Sequence, residues 1–504
     1  MRRVYALHWQ SKIQIARLRL MSSWLEKIAA KPQRSILLLS LALLLAGNWI
    51  LPLTDRDETR FAEASREMLQ RGDYVVPWFN GVWRFDKPVL IYLCQMASYK
   101  VFGENPFAAR LPSVLFTTAT ALLLVRWGRK ISGDAKTAFI AGAMFVAGLH
   151  VAIIGRVATA DMAMVFFTTL AVWSGWELTR PKLSRRNTWW WIFYITLALG
   201  FLAKGPVAWL PLAGMIFGRA FRKNDFRLPL GETLAGLGVT LALAACWGVP
   251  ALLQTQGAFF KVGMGEHVLH RSTGVNDGHG LAGLLGFIAT LPVYFVTFFV
   301  SFLPWSTHVP GGLRRWWPQR GQDLVGWYLL VQALAVFAAF SLVRTKLPHY
   351  TMPAFPCLAL WLALQLRADE NSFVWFGKRL AVMVAVILAL TLGATSLVKH
   401  QLLTERLWDA VRPQVHAETK VGCFGFTESS LVWKFRGVVT NTVTLGDENQ
   451  AKDFLTNTPP FILVVPTKAL GSLPITNGFR CRVQGFDMVR FKNRDLTAIM
   501  CGSK

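Results

Sequence analysis

Apolar runs long enough to cross a hydrocarbon core of roughly 30 Å recur along most of the chain. They lie at 35–53, 107–125, 136–154, 162–179, 189–203, 205–218, 233–253, 281–303, 323–343, 350–366 and 378–398. Read as helices, they predict a polytopic α-helical membrane protein of about eleven spans, thirteen at most. The pair at 189–218 is short and reads as a hairpin whose turn holds Lys204 and Gly205.

The polar segments between the runs give the orientation. Basic clusters stand at "RWGRK" (126–130), "RPKLSRR" (180–186), "RAFRKNDFR" (219–227) and "RRWWPQR" (314–320), the bias of cytoplasmic loops. Residues 1–34 carry eight Lys or Arg against one Glu. The apolar run that follows is longer than that of a cleavable signal and lacks a small-residue cleavage site. The N-terminal segment is therefore expected in the cytoplasm, and eleven crossings put the C-terminus outside.

One apolar stretch breaks the pattern. "PVLIYLCQMASYKVF", residues 88–102, would reach only about 22 Å as a helix, and a crossing there would turn "RWGRK" outward. It is predicted to lie in the interface. Residues 54–106 then form one external loop with interfacial helices, carrying seven basic and eight acidic side chains. Loops of that length are usually functional.

Beyond Lys399 the pattern changes to short β-rich runs, "TKVGCFGF", "GVVTNTVTL", "FILVVP" and "CRVQGFDMVRF", alternating with helical signals at "ESSLVWKFRG" and "NQAKDFLTN". The division is thus a basic segment at 1–34, a transmembrane part at 35–398 and a small external α/β domain at 399–504. Cys423, Cys481 and Cys501 fall in this last part, an odd set that permits one disulfide without identifying it.

Composition narrows the function. Hydrophobic residues make up 53% of 504 and charged residues 16%, which excludes a soluble globular enzyme. The net charge of +26 would suggest nucleic acid in a soluble chain, but here it sits in topogenic clusters. No GKS/T phosphate loop and no CxxC occurs, so the sequence supports neither P-loop nucleotide chemistry nor CxxC redox chemistry.

Candidate chemistry lies on the outer side. "TDRDETRFAEASREMLQRG" places Asp55, Asp57 and Glu58 just after the first span, with a helix beginning near Asp57. Acids there serve equally as caps complementing the helix dipole or as a general base. Asp86 and Lys87 follow in "WRFDKP", Lys204 in "AKGP", Glu266, His267, His270 and Arg271 in "GEHVLHRS", and Arg344, Lys346, His349 and Tyr350 in "VRTKLPHY". Each cation alone suits an interfacial anchor. Together they suit a phosphate at the lipid surface. A His pair with a carboxylate such as Asp86 is also a divalent-metal pattern, though its spacing is common by chance.

The collinear motifs "PLTDRDETRFAEASREMLQRGDYVVP", "FDKPVLIYL", "FGENPFAARLPS", "GRVATADMAMVF", "LAKGPVA", "GEHVLHRS" and "RTKLPHYTMPAFP" cover roughly the first 370 residues. They resemble the integral-membrane glycosyltransferases of the GT-C class, in the dolichyl-phosphate-mannose-protein mannosyltransferase-like group, and within it the lipid A aminoarabinose transferases. The resemblance implies a bacterial inner-membrane enzyme with a periplasmic active site and a polyprenyl-phosphate-linked sugar donor, such as an undecaprenyl phosphate sugar, and inversion at the anomeric carbon. It implies a lipid A-like lipid, a glycan or a protein as acceptor, and no nucleotide or nucleic acid.

Carried over residue by residue, Asp57 matches the catalytic acid, with Glu58 beside it. Arg60, Lys87, Arg271 and Tyr350 match the lipid-phosphate pocket. Asp86 and His267 match positions that take a metal (Zn, Mg or Mn). Lys204, Asp161 and Lys346 match motif positions of less defined role. The sequence departs from the pattern where "PLTDR" and "DETR" abut, so Asp55 competes with Asp57, and where Asp86 replaces a Glu. Such a transfer needs cations at the departing phosphate and a carboxylate at the acceptor. The alternative is a flippase for an anionic polyprenyl lipid, which predicts charges near mid-span; here they concentrate at span ends.

Overall fold

The computed structural model describes residues 23, 25–180, 186–222, 225, 229–263, 265, 283–366, 370–394, 398–474 and 478–502. Arg271 and His267 lie outside the described residues, as does most of the motif that holds them.

A helix α1 (Pro32–Leu45) is followed, after a short loop, by α2 (Asp57–Arg71). A two-residue ladder, β1 (Trp78–Phe79) with β2 (Val82–Trp83), leads to α3 (Leu90–Phe102). Asn105 caps α4 (Pro106–Ser132) by accepting from the Ala108 amide, which is why the long helix starts there. α5 (Ala135–Val146) and α6 (Leu149–Ile154) follow. The run expected as one span at 136–154 is thus two helices. Its break falls at Ala147–Gly148, where Gly148 takes extended backbone angles (φ −68°, ψ 134°) as the N-cap of α6 and the Leu149 amide donates to the Leu303 carbonyl at 2.9 Å.

Next come α7 (Asp161–Leu178) and α8 (Arg186–Lys204). A 3-10 turn at Gly205–Trp209 leads to α9 (Leu210–Phe221). Gly205 has φ +77°, and a Cβ on Gly200 would come within 2.7 Å of Ala208. Eight residues of straight helix span about 12 Å, so the chain turns at Lys204–Gly205. The membrane part continues through α10 (Leu230–Gln254), α11 (Val293–Ser301), α12 (Leu324–Leu342), α13 (Phe355–Leu366) and α14 (Glu370–Ala389).

By length and hydropathy five helical runs among the described residues are able to cross a membrane, or six if the bent pair Gly286–Ser301 and Trp305–Gln319 counts as one. Others, such as α1 and α5, are apolar but short. One apolar core joins α1, α4, α5, α7, α12, α13 and α14.

The C-terminal part opens with α15 (Leu403–Val411) and contains α16 (Ser429–Arg436). Its five strands, β3 (Lys420–Phe424), β4 (Thr444–Gly446), β5 (Phe461–Pro466), β6 (Phe479–Asp487) and β7 (Lys492–Cys501), form one sheet in the order β4-β3-β5-β7-β6. β3 is parallel to β4 and β5, and the β5–β7 and β7–β6 pairs are antiparallel. All six cysteines are free thiols.

Two buried ionic groups hold α2, one against α4 and one against the C-terminal part. Arg110 of α4 donates from Nε and Nη2 to the two oxygens of Glu58, each at 2.8 Å. Its remaining bonds go to the carbonyls of Asn48 (2.9 Å), Leu51 (2.7 Å) and Pro52 (2.9 Å). Burial pushes the Glu58 carboxyl up, but the Arg110 guanidinium and the Thr54 and Ala158 amides outweigh it, leaving the group below the usual range.

On the other side of α2, Arg66 bonds Glu63, donates to the Trp433 carbonyl (2.9 Å) and lies 4.2 Å over the Trp433 ring. Arg436 reaches Glu67 (3.6 Å) and Glu63 (4.0 Å). Glu67 stands four residues before Arg71, the spacing of a helical ion pair. That contact is long at 3.9 Å, and Glu67 instead accepts the Asn80 (2.6 Å) and Gly81 (2.9 Å) amides.

Two outcomes are expected. Arg110→Met, which strands a buried carboxylate, should destabilise the protein by about 3–5 kcal/mol, and adding Glu58→Met should recover part of that. Thermal unfolding in detergent reads this, and an unchanged midpoint for the single variant would refute it. The second concerns Glu63, which burial pushes up to about 8 against the pull of Arg66, with the Glu67 carboxylate adding to the rise. The folded state holds this proton above the ordinary value of 4.5, so stability should fall as pH rises from about 4.5 to 8. Glu63→Gln should flatten that slope in melting temperatures taken at several pH values; an identical slope in both proteins would count against it.

Candidate active site

A polar cavity of about 90 Å³ lies where four separate stretches meet: the start of α2, the strand-to-helix segment before α3, the start of α7 with the end of α8, and the 3-10 turn before α13. Each contributes charge. Asp57 and Arg60 come one turn apart from α2, Arg84, Asp86 and Lys87 from the second stretch, Asp161 and Lys204 from the third, and His349 and Tyr350 from the fourth. The lining holds four Lys or Arg against three carboxylates.

The helix ends are matched to their charges. Asp161 opens α7 and Lys204 closes α8, so each complements its dipole. Lys204 bonds Asp161 directly and lies 5.6 Å over the Tyr350 ring. His349 Nε2 is 3.9 Å from Asp161. Burial pushes the His349 imidazole down to about 4, with Asp161 pulling the other way, so it is neutral near pH 7. Arg84 pairs with Asp86 at 2.7 Å and sits 5.3 Å over Phe61.

An apolar chamber of about 280 Å³ adjoins this cavity, lined by Phe85, Phe201, Trp209, Trp247, Leu252 and Phe259 among others. The two share Asp86, Lys87 and Lys204. An amphiphile with an anionic head and an apolar tail fits that continuity.

Of the residues singled out from the sequence, Asp57, Arg60, Asp86, Lys87, Lys204 and Tyr350 line the cavity together. Three others do not. Glu58 is turned into the bundle against Arg110, because the residue after Asp57 points about 100° round the helix. Asp55 faces α16, accepting the Ser430 amide at 2.7 Å. Lys346 donates to the Phe340 (3.1 Å) and Ser341 (2.6 Å) carbonyls at the end of α12, satisfying helix carbonyls.

Arg84 was missed. Its place two residues before Asp86 in an extended stretch puts both on one side, and that period was the available signal.

Asp86 is the described member of the suggested metal pair. Its carboxylate pairs with the Arg84 guanidinium at 2.7 Å. Among the described residues no group of three His, Cys, Asp or Glu side chains suits a metal ion. His267, the other member of that pair, lies outside the described residues.

Residues 35–249 match the family model of the dolichyl-phosphate-mannose-protein mannosyltransferases. Curated relatives include the undecaprenyl phosphate-alpha-4-amino-4-deoxy-L-arabinose arabinosyl transferases of Pectobacterium atrosepticum and Edwardsiella ictaluri. They are 31% and 30% identical over 67% and 70% of this chain, which spans 60% and 63% of their own length. The crystal structure of ArnT from Cupriavidus metallidurans bound to undecaprenyl phosphate matches with a TM-score of 0.73 at 17% identity, covering 92% of this chain and 97% of that one. The chain shares that fold, and the matches agree with the GT-C resemblance carried by the motifs.

Proposed function

We propose that this chain, a member of the undecaprenyl phosphate-aminoarabinose arabinosyl transferase family, is an inverting membrane glycosyltransferase that moves a sugar from a polyprenyl-phosphate-linked donor to an acceptor. The observation that carries the reading is the convergence of Asp57 with Arg60, Lys87, Lys204 and Tyr350 on one cavity continuous with an apolar chamber.

In this reading the polyprenyl chain enters the apolar chamber, and its phosphate lies where the two spaces meet, at Lys87 and Lys204. As the glycosidic bond breaks, negative charge grows on the departing phosphate oxygen. Arg60 and Lys87, with Tyr350 as hydrogen-bond donor, offset that charge inside a site partly shielded from water. Arg271, outside the described residues, is assigned to the same role by resemblance. Asp161 holds Lys204 in place. Asp57 takes the acceptor's proton and stabilises the oxocarbenium character that develops at the sugar. For an acceptor already ionised at neutral pH, such as a phosphate, Asp57 orients rather than deprotonates.

The topology belongs to the proposal as well: eleven crossings of a bacterial inner membrane, residues 1–34 cytoplasmic, and the cavity and residues 399–504 on the periplasmic side. Residues 35–398 form the catalytic membrane part. α2 and α3 then lie along the outer interface, which suits a donor whose tail stays in the bilayer. The acceptor class is a lipid A-like lipid, a glycan or a protein. The relatives' names make undecaprenyl phosphate-linked aminoarabinose the first donor to try.

Purified protein in sealed vesicles with that radiolabelled donor and lipid A tests the assignment. Label transfer is expected; movement of intact donor across the bilayer without transfer would replace the enzyme by a flippase. Asp57→Asn should cost at least about 10²–10⁴ in turnover in a protein that stays folded, and near-normal turnover would remove it as the base. Lys87→Ala should weaken binding of undecaprenyl phosphate by about 1.5–3 kcal/mol, roughly tenfold or more, and an unchanged Kd would remove Lys87 from the phosphate site.

A further inference from the structure

Asp55 stands two residues before Asp57, yet its carboxylate reaches into the C-terminal part of the chain. Oδ1 accepts the Ser430 amide at 2.7 Å and the Ser429 hydroxyl at 3.0 Å, and Oδ2 accepts the Ser430 hydroxyl. The Ser429 hydroxyl also meets Thr59 Oγ1 at 2.7 Å and the Arg56 carbonyl at 2.9 Å.

These contacts fall on the first turn of α16. A helix leaves its first amides without partners, and the N-cap side chain normally takes one of them. Glu428 holds the N-cap position of α16 and makes no side-chain cap. Asp55 supplies it instead from 375 residues away, and its charge suits that end of the dipole. The N-cap residue of α2, Arg56, likewise has no side-chain cap, so the start of the helix that bears Asp57 is held by its neighbours.

Those neighbours grip it from two sides. Glu58 is fixed to Arg110 and accepts the Thr54 amide (2.9 Å) and hydroxyl (2.7 Å). Asp55 is fixed to α16. Between them the backbone that carries Asp57 is tied to the membrane bundle through one acid and to the C-terminal part through the other. Only Asp57 of the three lines the cavity.

We propose that Asp55 is a positioning residue: as an N-cap supplied across the chain to α16, it docks residues 399–504 onto the start of α2 and thereby sets where the Asp57 carboxylate stands. The C-terminal part is then a structural component of the active site, although none of its side chains lines the polar cavity among the described residues. The role rests on the transfer reaction proposed above for its catalytic readout, and on geometry alone for its docking readout.

The test uses the full chain in nanodiscs with undecaprenyl-phosphate-linked aminoarabinose and lipid A, and compares Asp55→Ala, Asp55→Asn and Ser429→Ala/Ser430→Ala. A cap needs an acceptor oxygen and a base needs a carboxylate. Asp55→Asn keeps the amide acceptor, so it should retain turnover to within a few-fold, whereas Asp55→Ala should lose about 100-fold in kcat, the scale of a small misplacement, with donor KM nearly unchanged. The double serine variant, which touches no cavity residue, should match Asp55→Ala. Hydrogen exchange should quicken over 57–60 and 429–433 in Asp55→Ala and in the serine variant but not in Asp55→Asn.

If Asp55→Asn is as inactive as Asp57→Asn, or if the serine variant keeps full turnover and protection, the positioning role is overturned. Wild-type protein inert toward the donor would instead overturn the transfer reading, and the exchange comparison would still decide the docking.

Discussion

A single buried ion pair organises the catalytic half of the molecule. Glu58 and the Arg110 guanidinium meet two oxygens to two nitrogens, with 2% and 3% of their side chains exposed. Neither charge is tolerable there alone, so neither helix is able to shift without the other. Arg110 also gathers the carbonyls of Asn48, Leu51 and Pro52, and Glu58 takes the Ala158 amide at 2.9 Å. The end of the first apolar segment, the start of α2, the body of α4 and the approach to α7 are therefore fixed to one point. Asp57 and Asp161 both reach the cavity from segments anchored at that point.

The cavity depends on this economy of anchors because its own charges repel as well as attract. Four cations and three carboxylates crowd about 90 Å³, and two of the acids are balanced within it, Asp161 by Lys204 and Asp86 by Arg84. Such a site is held open by surrounding structure rather than by its lining. The helix termini help: Asp161 and Lys204 sit at ends whose dipoles already favour them. The adjoining apolar chamber removes water from one side and strengthens each remaining interaction.

Much of this was legible in the sequence. Hydropathy outlined the long apolar helices, and the ordered motifs brought Asp57, Arg60, Lys87, Lys204 and Tyr350 to one expected site, where they line a single cavity. What the sequence could not resolve was direction. Asp55, Asp57 and Glu58 are chemically equivalent in a one-dimensional reading, and only the rotation of the chain sends one to α16, one to the cavity and one to Arg110. Lys346 carried the same charge as the cavity lysines but spends it on helix carbonyls. Strand β7 was missed because "KNRDLTAIMC" has a polar first half and an apolar second half, without the alternation that marks a half-buried strand. The break between α5 and α6 was hidden by uniform hydropathy.

The distance along the chain between the two partners of the α16 cap has a consequence in time. Thr59 and Asp55 emerge early in synthesis, and Ser429 and Ser430 follow some 370 residues later. Domains generally form in the order in which they are made, and closing so long a loop is slow. Throughout elongation the early helix lacks its last tether, so a chain truncated before α16 would carry every lining residue described and still hold them loosely. The ribosome must nearly finish its work before the molecule is complete.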